Sequence, residues 1–131
     1  MNKIISEYLN RIAAKFKQGN ATEHTYRGDL QLLIEQLFPD ISATNEPKRI
    51  ACGAPDYILL RKDIPVGYIE AKDIDAVLKD KKYSEQFNRY KNSLDNLIIT
   101  NYVDFELFVS GEYVDSVTLG RIYGTKLSSL E

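Results

Sequence analysis

The chain has 131 residues, 44% of them hydrophobic and 27% charged, with a formal net charge of −2. That is the length of one domain with a real core, and it contains neither an apolar run of the ~18 residues a membrane span needs nor a signal peptide. The single cysteine, Cys52, excludes a disulfide framework and a multi-cysteine metal site, reads as small core filler, and suits a reducing cytoplasm. The acidic balance also counts against a self-sufficient DNA binder, because proteins that grip DNA alone usually carry a basic excess.

Ile4, Ile5, Tyr8, Leu9, Ile12, Ala13 and Phe16 recur at helical spacing, predicting an amphipathic helix over 2–17 that Gly19-Asn20 stops. A second helix is expected over 21–37, with Tyr26, Leu30, Leu33, Ile34 and Leu37 inward and Pro39 beyond its end. Asn20 as N-cap with Glu23 at N3 matches a capping box. His24 shares a polar stripe with Gln31 and Glu35 and reads as solvated. Arg27, four residues after Glu23, is expected to pair with it, with phosphate contact as the lesser option.

Residues 44–51 read as a first strand. Then come two apolar runs, Tyr57 to Leu60 and Val66 to Ile69, flanking Arg61-Lys62-Asp63. That is an antiparallel hairpin. With the turn centred on Asp63, Leu60 faces Val66, Ile58 faces Tyr68 and Asp56 faces Glu70, while Lys72 shares the Glu70 face. Opposed positions lie about 5 Å apart at Cβ, so two repelling carboxylates and an ammonium converge at one end of a hydrophobic ribbon. Removing one of two such unpaired acids should relieve strain. A cation resolves the conflict. Mg²⁺ prefers oxygen ligands, commonly one or two carboxylates with waters and phosphates, and the Ala71 carbonyl offers one more oxygen. Lys72 would then point at whatever the metal holds. The bland alternative is a strand pair ending in solvated charges.

A polar stretch follows from Asp73 to Tyr83, with one helical turn expected around 76–79. Its Lys79, Lys81 and Lys82 read first as a solvated face and second as phosphate contacts. A third helix starts at Ser84 as N-cap and runs to Ser93, with Gln86 and Tyr90 on one face. Gln86 reads either as a site residue or as a local hydrogen-bonder, and Tyr90 either as its companion or as core beside Phe87. Leu97 to Thr100, reached through that helix, should lie parallel to the hairpin's second strand. Asn101-Tyr102 turns into a strand over 105–109, and Gly111-Glu112 into one over 113–119. The remaining residues read as a fraying tail, with Leu130-Glu131 equally a natural ending or a cloning remnant.

Pro55-Asp56 followed by Glu70-Ala71-Lys72 resembles the PD-(D/E)XK nuclease superfamily. Glu23-His24-Thr25-Tyr26-Arg27, Asn45-Glu46-Pro47-Lys48-Arg49, Ser84-Glu85-Gln86 through Tyr90, and Ile99-Thr100-Asn101-Tyr102 are similar to the N-terminal nuclease domain of type IIG and type ISP restriction-modification enzymes. The resemblance implies a single α/β domain, 1–131, with a restriction-endonuclease-like core: a central mixed sheet flanked by helices in the order α-α-β-β-β-α-β-β-β. It implies a cytoplasmic DNA endonuclease using Mg²⁺, for which Mn²⁺ substitutes, held by Asp56, Glu70, the Ala71 carbonyl and Glu23 as a third acid. Lys72 would polarise the attacking water and Gln86 border the site, with Tyr90, Lys79, Lys81, Lys82 and Arg27 on the substrate side. The partners implied are double-stranded DNA and the methyltransferase, recognition and sometimes helicase regions that follow this domain in such enzymes, which makes the chain a fragment of a larger protein. The alternatives are a catalytically inactive nuclease-like DNA-binding or assembly module, and a junction resolvase or other restriction nuclease of the same fold.

Overall fold

A computed structural model describes residues 2–22, 24–45, 53–123 and 126–129. Helix α1 (Asn2–Lys17) buries Tyr8, Leu9 and Ile12 as its spacing dictates, and Gly19, at φ +81°, turns the chain after it. Helix α2 is Arg27–Leu37. It begins later than its apolar stripe suggests, because the hydroxyls of Thr22 and Thr25 take backbone N–H groups ahead of it. Thr25 Oγ1 accepts from Thr22 N at 2.9 Å, and Thr22 Oγ1 accepts from His24 N at 3.3 Å. Threonine competes with helical backbone bonds in this way. The N-cap is therefore Tyr26, without a side-chain cap bond, rather than Asn20. Glu23 lies outside the described residues, as do 46–52, which hold most of the expected first strand and Cys52.

Asp29 of α2 takes Arg11 Nε at 3.2 Å and Lys15 Nζ at 2.5 Å, tying α2 to α1. Glu35 Oε2 accepts from Ala43 N at 2.9 Å. That bond occupies a donor of strand β1 (Ile41–Asn45), the edge of the sheet, and edge donors otherwise invite foreign strands.

Strands β2 (Tyr57–Arg61) and β3 (Ile64–Ala71) form the hairpin around a two-residue turn, Lys62 and Asp63, at φ 50° and 66°. Both being positive is what a tight right-twisted hairpin demands. Tyr57 pairs with Ile69, Ile58 with Tyr68 and Leu59 with Gly67, as read from the sequence. Beyond Leu59 the register shifts, and Leu60 faces Pro65 rather than Val66. A two-residue turn puts Arg61 opposite Ile64, one residue out of step with the hairpin base, and a bulge at Val66 absorbs the difference. Asn96 Nδ2 donates to the Val66 carbonyl at 2.9 Å, so the bulge leaves that oxygen satisfied.

After β3, two turns close with Ala76 N to Asp73 O at 2.9 Å and Asp80 N to Val77 O at 3.0 Å. The expected helical turn at 76–79 is absent. A 3₁₀ turn at Lys81–Tyr83 replaces it, with the Asp80 carboxylate accepting from Lys82 N, and leads into helix α3 (Ser84–Ser93). Ser84 is thus the first helical residue and Tyr83 the N-cap. Strand β4 (Asn96–Thr100) runs parallel to β3, followed by antiparallel β5 (Asp104–Val109) and β6 (Glu112–Thr118). The sheet order is β1-β2-β3-β4-β5-β6. The described residues beyond β6 are not a fraying tail. Strands β7 (Gly120–Tyr123) and β8 (Lys126–Ser129) form a second hairpin whose Leu127 joins Leu9 in the main core.

Side chains alternate across the sheet and give it two cores. Ile69 and Ala71 meet α1 and α2 on one face, while Leu97, Ile99 and Phe108 meet Phe87 and Tyr90 of α3 on the other. Tyr68 packs against the α3 cluster, so Glu70, two residues on, shares its face. Leu30 is fully buried in the main core and its neighbour Leu32 is 41% exposed. Leu30→Ala should therefore cost about 2–5 kcal/mol, and Leu32→Ala well under that. Urea denaturation of both variants checks this, and equal losses would contradict the packing described.

Candidate active site

The site assembles where β2 and β3 emerge from their ladder. Gly53, at φ +126°, brings the chain against α3, where an added Cβ would stand 3.1 Å from the Tyr90 hydroxyl. Asp56 follows. Its Oδ2 accepts from Ala71 N at 2.8 Å, its Oδ1 accepts from Arg27 Nη2 at 2.7 Å, and its own N–H donates to Glu70 Oε1 at 3.3 Å. Glu70 is 3% exposed and lies 3.5 Å from Lys72 Nζ through Oε2. Lys72 N donates to the Thr100 carbonyl at 2.8 Å, extending the β3–β4 ladder by one bond, and its ammonium donates to Gln86 Oε1 at 2.6 Å. The ammonium also lies 5.2 Å from the Tyr83 ring centre and 5.8 Å from that of Phe87, and these two rings stack at 5.4 Å. Stacked rings present negative faces to such a cation.

Asp56, Glu70, Lys72 and Gln86 are therefore brought together, with the Ala71 backbone between them. Arg27 joins them by an unforeseen route. It is 7% exposed, reaches Asp56, and donates from Nη1 to Asn45 Oδ1 at 3.3 Å. Its expected pairing with Glu23, like the proposed third acid itself, lies outside the described residues. Because Asp56 has a cation of its own, the expectation of two unpaired acids is corrected: Asp56→Ala would break a short, largely buried ion pair rather than relieve strain. Tyr90 is 2% exposed in the α3 core. Lys79, Lys81 and Lys82 are all exposed, with Lys82 Nζ 5.2 Å from the Tyr83 ring centre. His24 is exposed. Asn101 serves a turn: its Oδ1 accepts from Asp104 N at 2.7 Å and its Nδ2 donates to the Ala76 carbonyl at 2.8 Å. The contacts of Asn45 with Arg27 and of Thr100 with Lys72, and the pairing of Tyr83 with Phe87, went unread. For the ring pair a signal existed, since two aromatics four residues apart share a helix face.

Burial pushes the Glu70 carboxyl up to about 7, the Asp56 charge adds to the rise, and Lys72 opposes it. Its ordinary value is 4.5. Between these values the folded protein keeps a proton that the unfolded chain has released, so this group's contribution to stability falls as pH rises from 4.5 to 7. The loss should be on the order of 3 kcal/mol. Glu70→Gln should flatten that part of the stability–pH curve, measured by denaturation across the window. Parallel wild-type and Gln curves would refute the assignment.

No protein-family model matches the chain, and no curated protein matches it. Among solved structures it is similar to a chain of a cryo-EM structure of a DrdV–DNA complex, at 24% identity and a TM-score of 0.68. The likeness covers 88% of this chain and 83% of that one. At this identity it is a likeness of fold: α/β, with a six-stranded mixed sheet flanked by helices, in keeping with a restriction-endonuclease-like architecture. Among the described residues no helix is long and apolar enough to cross a membrane.

Proposed function

We propose that this domain is a Mg²⁺-dependent endonuclease that hydrolyses DNA phosphodiesters as part of a restriction-modification system. The observation that carries the reading is the meeting of Asp56, Glu70 and Lys72 at one end of the β2–β3 hairpin, with Lys72 held by Gln86. The fold shared with a chain of a DrdV–DNA complex supports a DNA substrate. The donor set fits a hard divalent cation. It is a buried and a half-buried carboxylate linked through the Asp56 N–H, which donates to Glu70 Oε1; burial first, and then the Asp56 charge, push the Glu70 carboxyl up, and a cation would offset both. Asp56 and Glu70 would hold the ion with the Ala71 carbonyl, and Glu23 is the further acid proposed.

When bound, the ion supplies a water of lowered pKa and charge to offset that developing on the phosphoryl oxygens. Gln86 and the Tyr83–Phe87 pair fix the direction of the Lys72 ammonium. Lys72 orients the attacking water and steadies negative charge gained in the transition state. Exposed Lys79, Lys81 and Lys82, on the segment leading into α3, would contact backbone phosphates; with a net charge of −2, further regions of a larger parent chain would supply most of the grip on DNA.

A second reading, a catalytically inactive DNA-binding module, is favoured by one observation. Both Asp56 oxygens already hold donors, Arg27 and Ala71 N.

Two experiments separate these. Mn²⁺ titrated into the protein should broaden NMR signals around Asp56 and Glu70, and Asp56→Ala or Glu70→Ala should each weaken the binding at least tenfold. Unchanged affinity in both variants would remove the metal site and favour the inactive module. Lys72→Ala should leave Mn²⁺ affinity nearly intact while lowering single-turnover DNA cleavage by about 10²-fold or more in the full-length protein. A variant that cuts at the wild-type rate would return Lys72 to a structural role.

A further inference from the structure

Among the described residues, two cationic side chains stand beside Asp56 and Glu70, and they are not equivalent. Lys72 stands 3.5 Å from Glu70 and is held mainly by Gln86. Arg27 is buried and makes a short bond, 2.7 Å, to Asp56 Oδ1. Its place is set from two further directions: Nη1 reaches Asn45, and the Arg27 carbonyl accepts from the Tyr57 hydroxyl at 2.9 Å. Asp56 has a separate anchor, since Oδ2 is fixed by the Ala71 N–H on β3. That bond is neutral and comes from the sheet.

We propose that Arg27 is a resident counter-cation at Asp56 Oδ1 that competes with a divalent ion for that oxygen, so that metal binding makes the guanidinium yield it. The inference rests on the metal-site reading given above. A guanidinium at hydrogen-bond distance opposes a dication in two ways: it takes a lone pair of the oxygen, and its charge repels the ion across a few ångströms of partly desolvated protein. Losing it does not loosen the ligand, because the Ala71 N–H holds the carboxylate from the other side. Arg27 thereby sets a threshold. The folded domain tolerates its two acids without metal, and weak or stray divalent ions do not complete the site.

The test compares Mg²⁺ affinity of the wild-type chain, Arg27→Met and Arg27→Lys by isothermal titration calorimetry. Arg27→Met removes the charge and keeps the apolar stem; its metal affinity should rise about tenfold or more. Arg27→Lys keeps the charge and should stay within about threefold of wild type. The wild type offers a second measurement should the Met variant not fold. Exchange of the Arg27 guanidinium protons with solvent, followed by NMR, should be slow without metal and at least tenfold faster at saturating Mg²⁺. Equal or weaker affinity in Arg27→Met, or guanidinium protection that survives saturation, overturns the competition while leaving the metal site standing. Should neither the wild type nor the Met variant bind Mg²⁺ or Mn²⁺, the metal-site reading fails and the inference falls with it.

Discussion

Burying a carboxylate costs several kcal/mol unless a cation and hydrogen bonds answer it, and at this site Glu70 is buried and Asp56 half-buried, with the Asp56 N–H donating to Glu70 Oε1. The pairing of Arg27 with Asp56 makes that arrangement tenable, and much of the main core is built to hold it. Arg27 opens α2, and Asp29, two residues on, clamps that helix to α1. The Tyr57 hydroxyl holds the Arg27 carbonyl from β2, and Asn45 meets the guanidinium at the end of β1. Behind these, Tyr8 donates to the Tyr102 carbonyl at 2.6 Å. Tyr102 itself sits at φ 77°, a strained conformation for a tyrosine, kept in place by Thr100 Oγ1, which accepts from its N–H. The tyrosine layer is thus a rigid floor beneath the charges.

The other pair is held by the opposite face. Lys72 leaves β3 one residue beyond the strand, still bonded to β4, and meets the first two turns of α3. Asp56 is fixed from the α2 side and by the sheet, whereas Glu70 and Lys72 lie on the α3 side. The sheet lies between two cores, and the charged groups collect at its end, where the cores stop and solvent begins.

What the sequence disclosed follows from how local each signal is. The spacing of Ile4 to Phe16 reports a helix unaided, and the apolar runs flanking Arg61-Lys62-Asp63 report a hairpin. The convergence of Asp56 with Glu70 was legible because it needs only the alternation of side chains along two paired strands. The pairing of Arg27 with Asp56 was not, because the two stand far apart in the chain and no local spacing links them. The start of α2 was misjudged for a similar reason: an apolar stripe continues back to Tyr26, but two threonine hydroxyls outcompete the helical bonds before it. The β7–β8 hairpin gave little pattern, since only Leu127 of β8 is buried. Its reason for existing is the exposed flank of α1, which no reading of the tail by itself contains.

The bulge at Val66 separates two registers within one hairpin. The tip obeys the geometry of the Lys62-Asp63 turn, whereas the base obeys the alignment that brings Glu70 to Asp56. A bulge is a phase shift of one residue, and Asn96 locks this one in place from the neighbouring strand. Mutational drift at the tip, where Ile64 is largely exposed, is thereby insulated from the chemistry at the base. Related chains can vary the turn, its length parity included, as long as the bulge takes up the slack. The same device makes the tip the natural place to graft a label or a foreign loop without retuning the site.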